Sequence, residues 1–273
     1  MGPYLKITLD EKFDKLKNRL KQMDRVIIAF SGGVDSTFLL KAASMSGLSD
    51  VLAVTGRSES MPEEEFSFSK EIAGSLNIRH RIIRTNELGN NNYSKNPPDR
   101  CYYCKKELFG KLKEIAREED FPFILDGTNS DDAGDWRPGT RAAREEGVES
   151  PLFETGLGKD EIRELSKSLG LPTWNKPATP CLSSRIPYGQ EITAEALERV
   201  SRAETFIRKL GLTELRVRNH SDVARIEIHP DDFCKLIDAP VRKEIVDYLK
   251  SIGFKYVALD LQGFRSGSGN EVL

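Results

Sequence analysis

The sequence predicts an α/β fold, a parallel sheet wrapped by helices and followed by a smaller α+β domain. Three observations carry that expectation. Short apolar runs alternate with helical periodicity through the first half of the chain. Two polar, glycine-bearing turns, "SGGVDS" at 31–36 and "GTNSDD" at 127–132, each follow such a run. Beyond a proline-rich stretch the pattern changes to two adjacent alternating strands set among helices. Strands that alternate with helices pair in parallel, because the crossover packs each helix back onto a sheet face.

Each element has its own reason. Phe13, Leu16, Leu20 and Met23 recur at helical spacing and predict a helix over 10–23. "RVIIAF" (25–30) is an apolar run of strand length, and "TFLLKAASMSG" after it is helical up to Gly47. "DVLAVTG" (50–56) and "HRIIRT" (80–85) predict two more strands, with a helix over 62–77 between them. A helix over 99–119 leads to a fourth strand that begins "FILD" at 123. "LPTWNKPATPCLSSRIPYGQ" (171–190) has four prolines and no period, so it reads as an inter-domain segment. A helix over 193–210, strands "ELRVRN" (214–219) and "VARIEI" (223–228), a helical stretch over 231–252 and a strand at "YVALD" complete the second domain. The expected division is 1–185 and 186–273.

Composition narrows the function. The 273 residues include 41 Lys+Arg and 43 Asp+Glu, a net charge of −2, which gives no support for broad nucleic-acid or membrane-surface binding. No apolar run approaches the length of a membrane span, and the charged start "MGPYLKITLDEKFDKLK" lacks a signal-peptide apolar region. Four cysteines without such a signal suggest a reducing, cytoplasmic setting, where a C-x-x-C pair is metal-binding or catalytic rather than a structural disulfide.

"RVIIAFSGGVDSTFLL" places Ser31, Gly32, Gly33, Asp35 and Ser36 between a strand and a helix N-terminus. Glycine lets the backbone approach a ligand, and the free N–H groups and dipole of the helix favour an anion there. No lysine follows the glycines, so the loop is not of the Walker A kind. "SGGVDS" after a buried strand resembles the PP-loop of the N-type ATP pyrophosphatases. That resemblance implies ATP and Mg²⁺, with Asp35 catalytic and with Thr55, Gly127 and Thr128 also lining the nucleotide site. Asp131 and Asp132 are candidates for Mg²⁺ or ribose; as turn formers they are equally at home.

"PPDRCYYCKKELFGKL" (97–112) holds Cys101 and Cys104 at i and i+3, one face near a helix N-terminus, where thiolate is favoured. A closed zinc site needs a second pair, and the chain has no second C-x-x-C. Cys234, beside Phe233, Leu236 and Ile237, is expected to be a buried, inert thiol. "PCLSSRIPYG", with "DGTNSDD", "RPGTRAAREEGVESPL" and the strand pair, resembles the ATP-dependent sulfur transferases of the LarE family over nearly the whole chain. The resemblance implies adenylation of a carboxylate of pyridinium-3,5-biscarboxylic acid mononucleotide and its conversion to a thiocarboxylate on the way to a nickel-pincer cofactor. Cys181 is then catalytic. In one branch of the family the matching cysteine yields its own sulfur. In another, three cysteines hold a [4Fe–4S] cluster and a sulfide or other donor supplies the sulfur, and Cys101, Cys104 and Cys181 resemble that set. A tRNA thiolation enzyme combines the same loop with a C-x-x-C and a distant cysteine, but needs an RNA-binding surface that the charge balance does not suggest. The family also implies a homo-oligomer, trimer or hexamer, and a transfer partner in nickel-cofactor assembly.

In the second domain the alternation puts Arg216, Arg218, Arg225 and Glu227 on one sheet face. A four-residue loop at 219–222 would pair 218 with 223 and 216 with 225. Spacing alone makes this face a solvated one with surface ion pairs. The family resemblance implies instead that Arg216 and Arg218 bind the substrate's phosphate and that Glu204 and Glu227 bind a divalent metal ion. On its own terms Glu204 falls close to the apolar stripe of its helix, a costly place for a carboxylate unless it is paired. Arg185 and Arg265 are further candidates for contact with the substrate's carboxylate or phosphate. No histidine is given a role.

Overall fold

The computed structural model describes residues 7–134, 138–265 and 267–271. The start, Met1–Lys6, and Arg137, the first residue of one of the motifs above, lie outside the described residues. In chain order the helices are α1 (Leu9–Lys21), α2 (Val34–Met45), α3 (Glu63–Ser75), α4 (Asn91–Ser94), α5 (Arg100–Glu118), α6 (Pro138–Glu145), α7 (Pro151–Glu154), α8 (Lys159–Ser168), α9 (Ala194–Lys209), α10 (Phe233–Ile237) and α11 (Ala239–Ser251). The strands are β1 (Arg25–Ala29), β2 (Asp50–Arg57), β3 (Arg79–Arg84), β4 (Phe123–Leu125), β5 (Leu215–His220), β6 (Val223–Ile228) and β7 (Tyr256–Leu259).

The chain forms two compact units. The first comprises residues 1–58, 63–87 and 101–179, and the second 59–62, 88–100 and 180–273. The second unit therefore gathers 59–62 and 88–100 from within the expected first domain, and its main stretch begins at 180 instead of 186. Hydrogen bonds explain this. Leu182 N–H donates to the Ser60 carbonyl, Gly189 N–H to Asn96 and Ile192 N–H to Ser94. Tyr93 Oη lies 2.6 Å from Ser183 Oγ, and Asn96 donates to the carbonyls of Ile186 and Pro187. The proline-rich loop is thus ordered by partners about ninety or more residues away.

In the first unit a four-stranded parallel sheet has the order β3-β2-β1-β4. Val26 and Ile28 point into a core with Phe38, Leu39, Ala53 and Leu152, while Ile27, Leu52 and Val54 point into another with Phe109, Leu112 and Ile124. The alternation within β1 is why its run is apolar throughout: both faces are covered. Each fully buried Leu, Ile or Phe contributes about 1.5–3 kcal/mol of transfer free energy. This architecture places the turns after β1 and β4 side by side at the carboxyl edge of the sheet, where ligands of such folds bind.

In the second unit β5 and β6 pair antiparallel and β6 and β7 parallel, in the order β5-β6-β7, over a core of Ala203, Ile207, Val217, Ile226 and Leu249. The register differs from the expected one. Arg216 opposes Glu227 and Arg218 opposes Arg225, because the connection is two residues, with Ser221 in the left-handed region at φ 56°. A shift by two preserves the pleat, so the four charged side chains still share a face. The expected helix over 231–252 is interrupted at Asp238. Pro240 lacks an N–H and its ring would meet the carbonyl four residues back, so a new helix starts there. Cys234 is exposed, not buried: Phe233 and Leu236 face inward, and the next position round the helix from Phe233 faces out. Among the described residues no helix is long and apolar enough to cross a membrane.

Candidate active site

The loop after β1 depends on glycine. Gly32 has φ 72°, and a Cβ on it would lie 3.0 Å from the Ser69 Cα. Only glycine meets both demands. Gly33 is the N-cap of α2 and has no side chain to occupy the first N–H groups of the helix. Ser31 and Ser36 hydroxyls are 3.1 Å apart, Gly33 N–H donates to Ser31 Oγ, and Ser36 Oγ reaches the Gly33 carbonyl. The loop after β4 closes against this turn: a Cβ on Gly127 would stand 3.0 Å from Ser36 N. The result is a cradle of peptide N–H groups and two hydroxyls at the positive end of a helix dipole, suited to phosphate.

Asp35 faces this mouth in an unexpected pairing. Its Oδ2 accepts from Lys159 Nζ at 2.5 Å, while its Oδ1 is buried without a hydrogen-bond partner. Lys159 opens α8, where its own N–H donates to Asp131 Oδ2 at 2.7 Å. A second lysine also reaches the loop. Lys176 Nζ donates to the Gly32 carbonyl at 3.2 Å and to Glu65 at 2.8 Å. Thr128 donates both its N–H and its hydroxyl to the buried Asp126, and Asp132 Oδ2 accepts from Asn129 N–H, so these two shape the loop. Thr55 is buried. Its hydroxyl donates to the Phe30 carbonyl and lies 2.8 Å from His80 Nε2, which ties strand ends together instead of presenting the hydroxyl to a ligand. Burial, with a smaller effect of Lys70, lowers the His80 imidazole below its ordinary range.

Cys101 and Cys104 stand in the first two turns of α5, Cys101 exposed and Cys104 half-buried, and Cys104 Sγ is 3.5 Å from Glu87 Oε1. Among the described residues no group of three or more His, Cys, Asp or Glu side chains is arranged to hold a metal ion. The donor chemistry of the pair nonetheless fits a soft metal or iron–sulfur cluster, since thiolate sulfur is the ligand such groups prefer. Two donors are fewer than a closed site needs. The oxygens of Asp35 fit a hard cation such as Mg²⁺, and the partnerless Oδ1 leaves one of them available.

In the second unit Cys181 precedes a short 3₁₀ turn (Leu182–Arg185) and is half-buried. Arg185 is 2% exposed and every one of its nitrogens is engaged. It grips Glu204 through Nε and Nη2 at 2.9 and 3.1 Å, and its Nη1 reaches the carbonyls of Pro180 (2.7 Å) and Cys181 (3.2 Å) and Ser184 Oγ. Arg185 therefore holds the backbone of the cysteine turn, with each of its three nitrogens already donating within the second unit. Glu204 also accepts from Arg208 and from Val217 N–H. Glu227, wholly buried, accepts from Arg218 at 2.9 and 3.0 Å, from Arg225 and from Ser268. With guanidinium groups on both, these carboxylates do not fit a divalent cation as arranged.

Arg216 is the exception in this lattice. It is 5% exposed, yet its recorded contacts are the Arg265 carbonyl at 3.4 Å and the Phe264 ring. Burial foremost, then Arg185 and Arg218, push its pKa down to about 10. Among the described residues no carboxylate forms an ion pair with this buried guanidinium, an arrangement that suits an anion. Arg265 pairs bidentately with Glu271 at 3.1 and 3.0 Å. Of the face that spacing alone made a solvated one, Arg216, Arg218 and Glu227 are buried, with Glu227 and the Ser184 carbonyl satisfying Arg218, while Arg225 stays part-exposed.

No protein-family model matches the chain. An uncharacterised protein of Synechocystis sp. is 44% identical to it over 265 residues, 97% of this chain and 99% of that protein. The pyridinium-3,5-bisthiocarboxylic acid mononucleotide synthase of Lactiplantibacillus plantarum is 40% identical over 271 residues, 97% of this chain and 96% of that enzyme. The glutamine-hydrolysing GMP synthase of Thermus thermophilus is 29% identical over 229 residues, 76% of this chain and 45% of that protein.

Proposed function

This chain belongs to the LarE family of ATP-dependent sulfur transferases, and we propose that it adenylates a carboxylate of pyridinium-3,5-biscarboxylic acid mononucleotide and replaces a carboxylate oxygen with sulfur. The observation that carries the reading is the glycine cradle at 31–36, in a chain alike over 97% of its length to a synthase named for the bisthiocarboxylic product.

The chemistry follows from the groups present. A carboxylate oxygen is a poor leaving group. Attack by that oxygen on the α-phosphorus of ATP breaks the bond to pyrophosphate and leaves an acyl-adenylate. The 31–36 cradle binds the departing pyrophosphate through peptide N–H groups and the Ser31 and Ser36 hydroxyls, so negative charge leaves into a positive helix end. Asp35 offers a carboxylate oxygen to the magnesium that accompanies ATP. Arg216 receives the phosphate of the pyridinium nucleotide, with Arg218 beside it held in place by Glu227. A sulfur nucleophile then attacks the activated carbonyl carbon and AMP departs.

For the sulfur, Cys101, Cys104 and Cys181 are the ligands of a [4Fe–4S] cluster in this reading. When bound, such a cluster with three cysteine ligands supplies an iron site for a sulfur atom of external origin. Arg185 keeps the Cys181 turn in place by holding its carbonyl. Assembly as a trimer or hexamer, and delivery of the product to a nickel-inserting partner, belong to the same proposal.

Anaerobic protein given ATP, Mg²⁺, sulfide and the dicarboxylate nucleotide should form AMP, pyrophosphate and thiocarboxylate together. ATP consumption without a sulfur-bearing product refutes the reading. Iron and sulfide analysis tests the cluster: a colourless protein after anaerobic reconstitution removes it.

A further inference from the structure

Arg216 is not alone in the second unit as a buried guanidinium outside any ion pair. Arg100, the first residue of α5, is 6% exposed. Its Nη1 donates to Asn96 Oδ1 at 3.0 Å, and its guanidinium lies over the Tyr188 ring, 4.6 Å from the centroid. Among the described residues no carboxylate pairs with it, and its Nε is buried without a hydrogen-bond partner. Asn96 is fixed in turn, because its Nδ2 donates to the carbonyls of Ile186 and Pro187 at 3.1 and 2.8 Å. With Nη1 taken by Asn96, the edge formed by Nε and Nη2 remains. That edge carries two parallel N–H donors, the fork that matches the two oxygens of a carboxylate. Arg218 donates to the Ser184 carbonyl, and Asn96 to those of residues 186 and 187. The Cα atoms of Ser184 and Pro187 are at most about 11 Å apart. Arg100 and the β5 arginines are therefore anchored to one short segment, the turn that follows Cys181.

We propose that Arg100 binds a carboxylate of the pyridinium nucleotide, the one that is not being activated, while Arg216 takes the phosphate. The inference deepens the proposed function and rests on it. Three features carry it. A desolvated guanidinium with an unmet donor is costly unless an anion completes it, and Arg100 and Arg216 both stand in that position beside the same turn. The substrate brings anions of the right kinds, a phosphate and two carboxylates. Arg185, the carboxylate contact expected from sequence, already donates to Glu204 and to the Pro180 carbonyl, so Arg100 is the guanidinium that the fold offers instead. The choice between the two carboxylates follows from chemistry. A carboxylate held by two charge-assisted hydrogen bonds has its electron density drawn toward the cation and is the poorer nucleophile toward the α-phosphorus. The group in the fork is thus the spectator, and holding it orients the ring so that the other carboxylate reacts.

The test measures equilibrium binding of two ligands to the full chain and to the variants Arg100→Met and Arg100→Lys, with thermal melting as a check on folding. One ligand is the dicarboxylate nucleotide. The other is nicotinamide mononucleotide, which keeps the ring, ribose and phosphate but has an uncharged amide and no carboxylate. A lost charge-assisted contact weakens binding about 10- to 100-fold. Arg100→Met should therefore weaken the dicarboxylate nucleotide by that factor and leave nicotinamide mononucleotide within about twofold. Arg100→Lys should recover only part of the loss, since an ammonium keeps the charge without the fork. Equal losses for both ligands would show a merely structural role and overturn the inference, as would unchanged affinity of Arg100→Met for the dicarboxylate nucleotide. If Arg100→Met does not fold, Arg100→Lys decides by the same comparison, and an unchanged preference for the dicarboxylate overturns the inference. A wild-type chain that does not bind the dicarboxylate nucleotide overturns the proposed function and the inference together; a wild-type chain that prefers it over the amide, with the same preference in Arg100→Met, overturns the inference alone.

Discussion

The phosphate loop of the first unit and the arginine–glutamate lattice of the second use charge in opposite ways. In the lattice, Glu204 and Glu227 are 1% and 0% exposed, and each is surrounded by guanidinium groups in near-ideal geometry. In the loop, the charges sit at the edge of solvent, Asp35 keeps an idle oxygen, and Lys159 has one side-chain partner. The lattice is a finished structure with a single member left over, Arg216. The loop is an unfinished one. Closed pairs cannot exchange partners without exposing a buried charge, so they fix geometry; part-exposed pairs can, so they serve ligands. This contrast also explains why Arg185, an attractive substrate contact by sequence, is a brace for the Cys181 turn.

Breaking the lattice should have the largest effect. Glu204→Gln leaves Arg185 and Arg208 facing a neutral amide, and removing one partner of a buried ion pair costs about 3–5 kcal/mol. Urea denaturation of the variant should show a loss of that size; a cost below about 1 kcal/mol would mean that the lattice is as loose as a surface pair. Arg216→Met sharpens the comparison from the other side. It should leave thermal stability unchanged or raised, since the buried guanidinium has no carboxylate, while the substrate nucleotide binds less tightly by about 1.5–3 kcal/mol. A large fall in stability would instead make Arg216 part of the closed structure. In the loop, Asp35→Asn should change stability by no more than about 1 kcal/mol while sharply reducing ATP consumption, so a stability loss like that of Glu204→Gln would erase the distinction drawn here.

The smallest effect concerns pH. Burial lowers the His80 pKa, so the unfolded chain binds more protons than the folded one just below the ordinary value of 6.5. Stability then falls as the pH drops through that range and is fully recovered above it. His80→Gln keeps a polar partner for Thr55 and should flatten that part of the profile, which melting curves between about pH 5 and 7.5 would reveal. An unaltered slope would assign the acid sensitivity to other groups.

Much of this was legible in the sequence, and for identifiable reasons. The period of the apolar residues located every strand of both sheets, and the glycines of "SGGVDS" announced a backbone cradle because no other residue suits φ 72° beside the Ser69 backbone. The shared face of Arg216, Arg218, Arg225 and Glu227 was readable because it depends only on parity, although the register was off by two. What escaped were contacts made by the fold between distant segments. Lys159 and Lys176 stand more than a hundred residues from the loop they reach. The burial of the lattice depends on partners such as Ser184 and Ser268 that carry no charge pattern. The exposure of Cys234 turned on which face of its short helix, beside inward-facing Phe233 and Leu236, meets the core. The grouping of 59–62 and 88–100 with the second unit came from backbone hydrogen bonds, which leave little trace in side-chain periodicity.

The central claim is that the chain moves sulfur onto an ATP-activated carboxylate and is not consumed in doing so. Intact-protein mass spectrometry after turnover, with anaerobically reconstituted protein, ATP, sulfide and the dicarboxylate nucleotide, tests it most directly. The account predicts several thiocarboxylate products per chain, matched by AMP, with the mass of the peptide containing Cys181 unchanged. At most one product per chain, with loss of the elements of H₂S from Cys181, would contradict it.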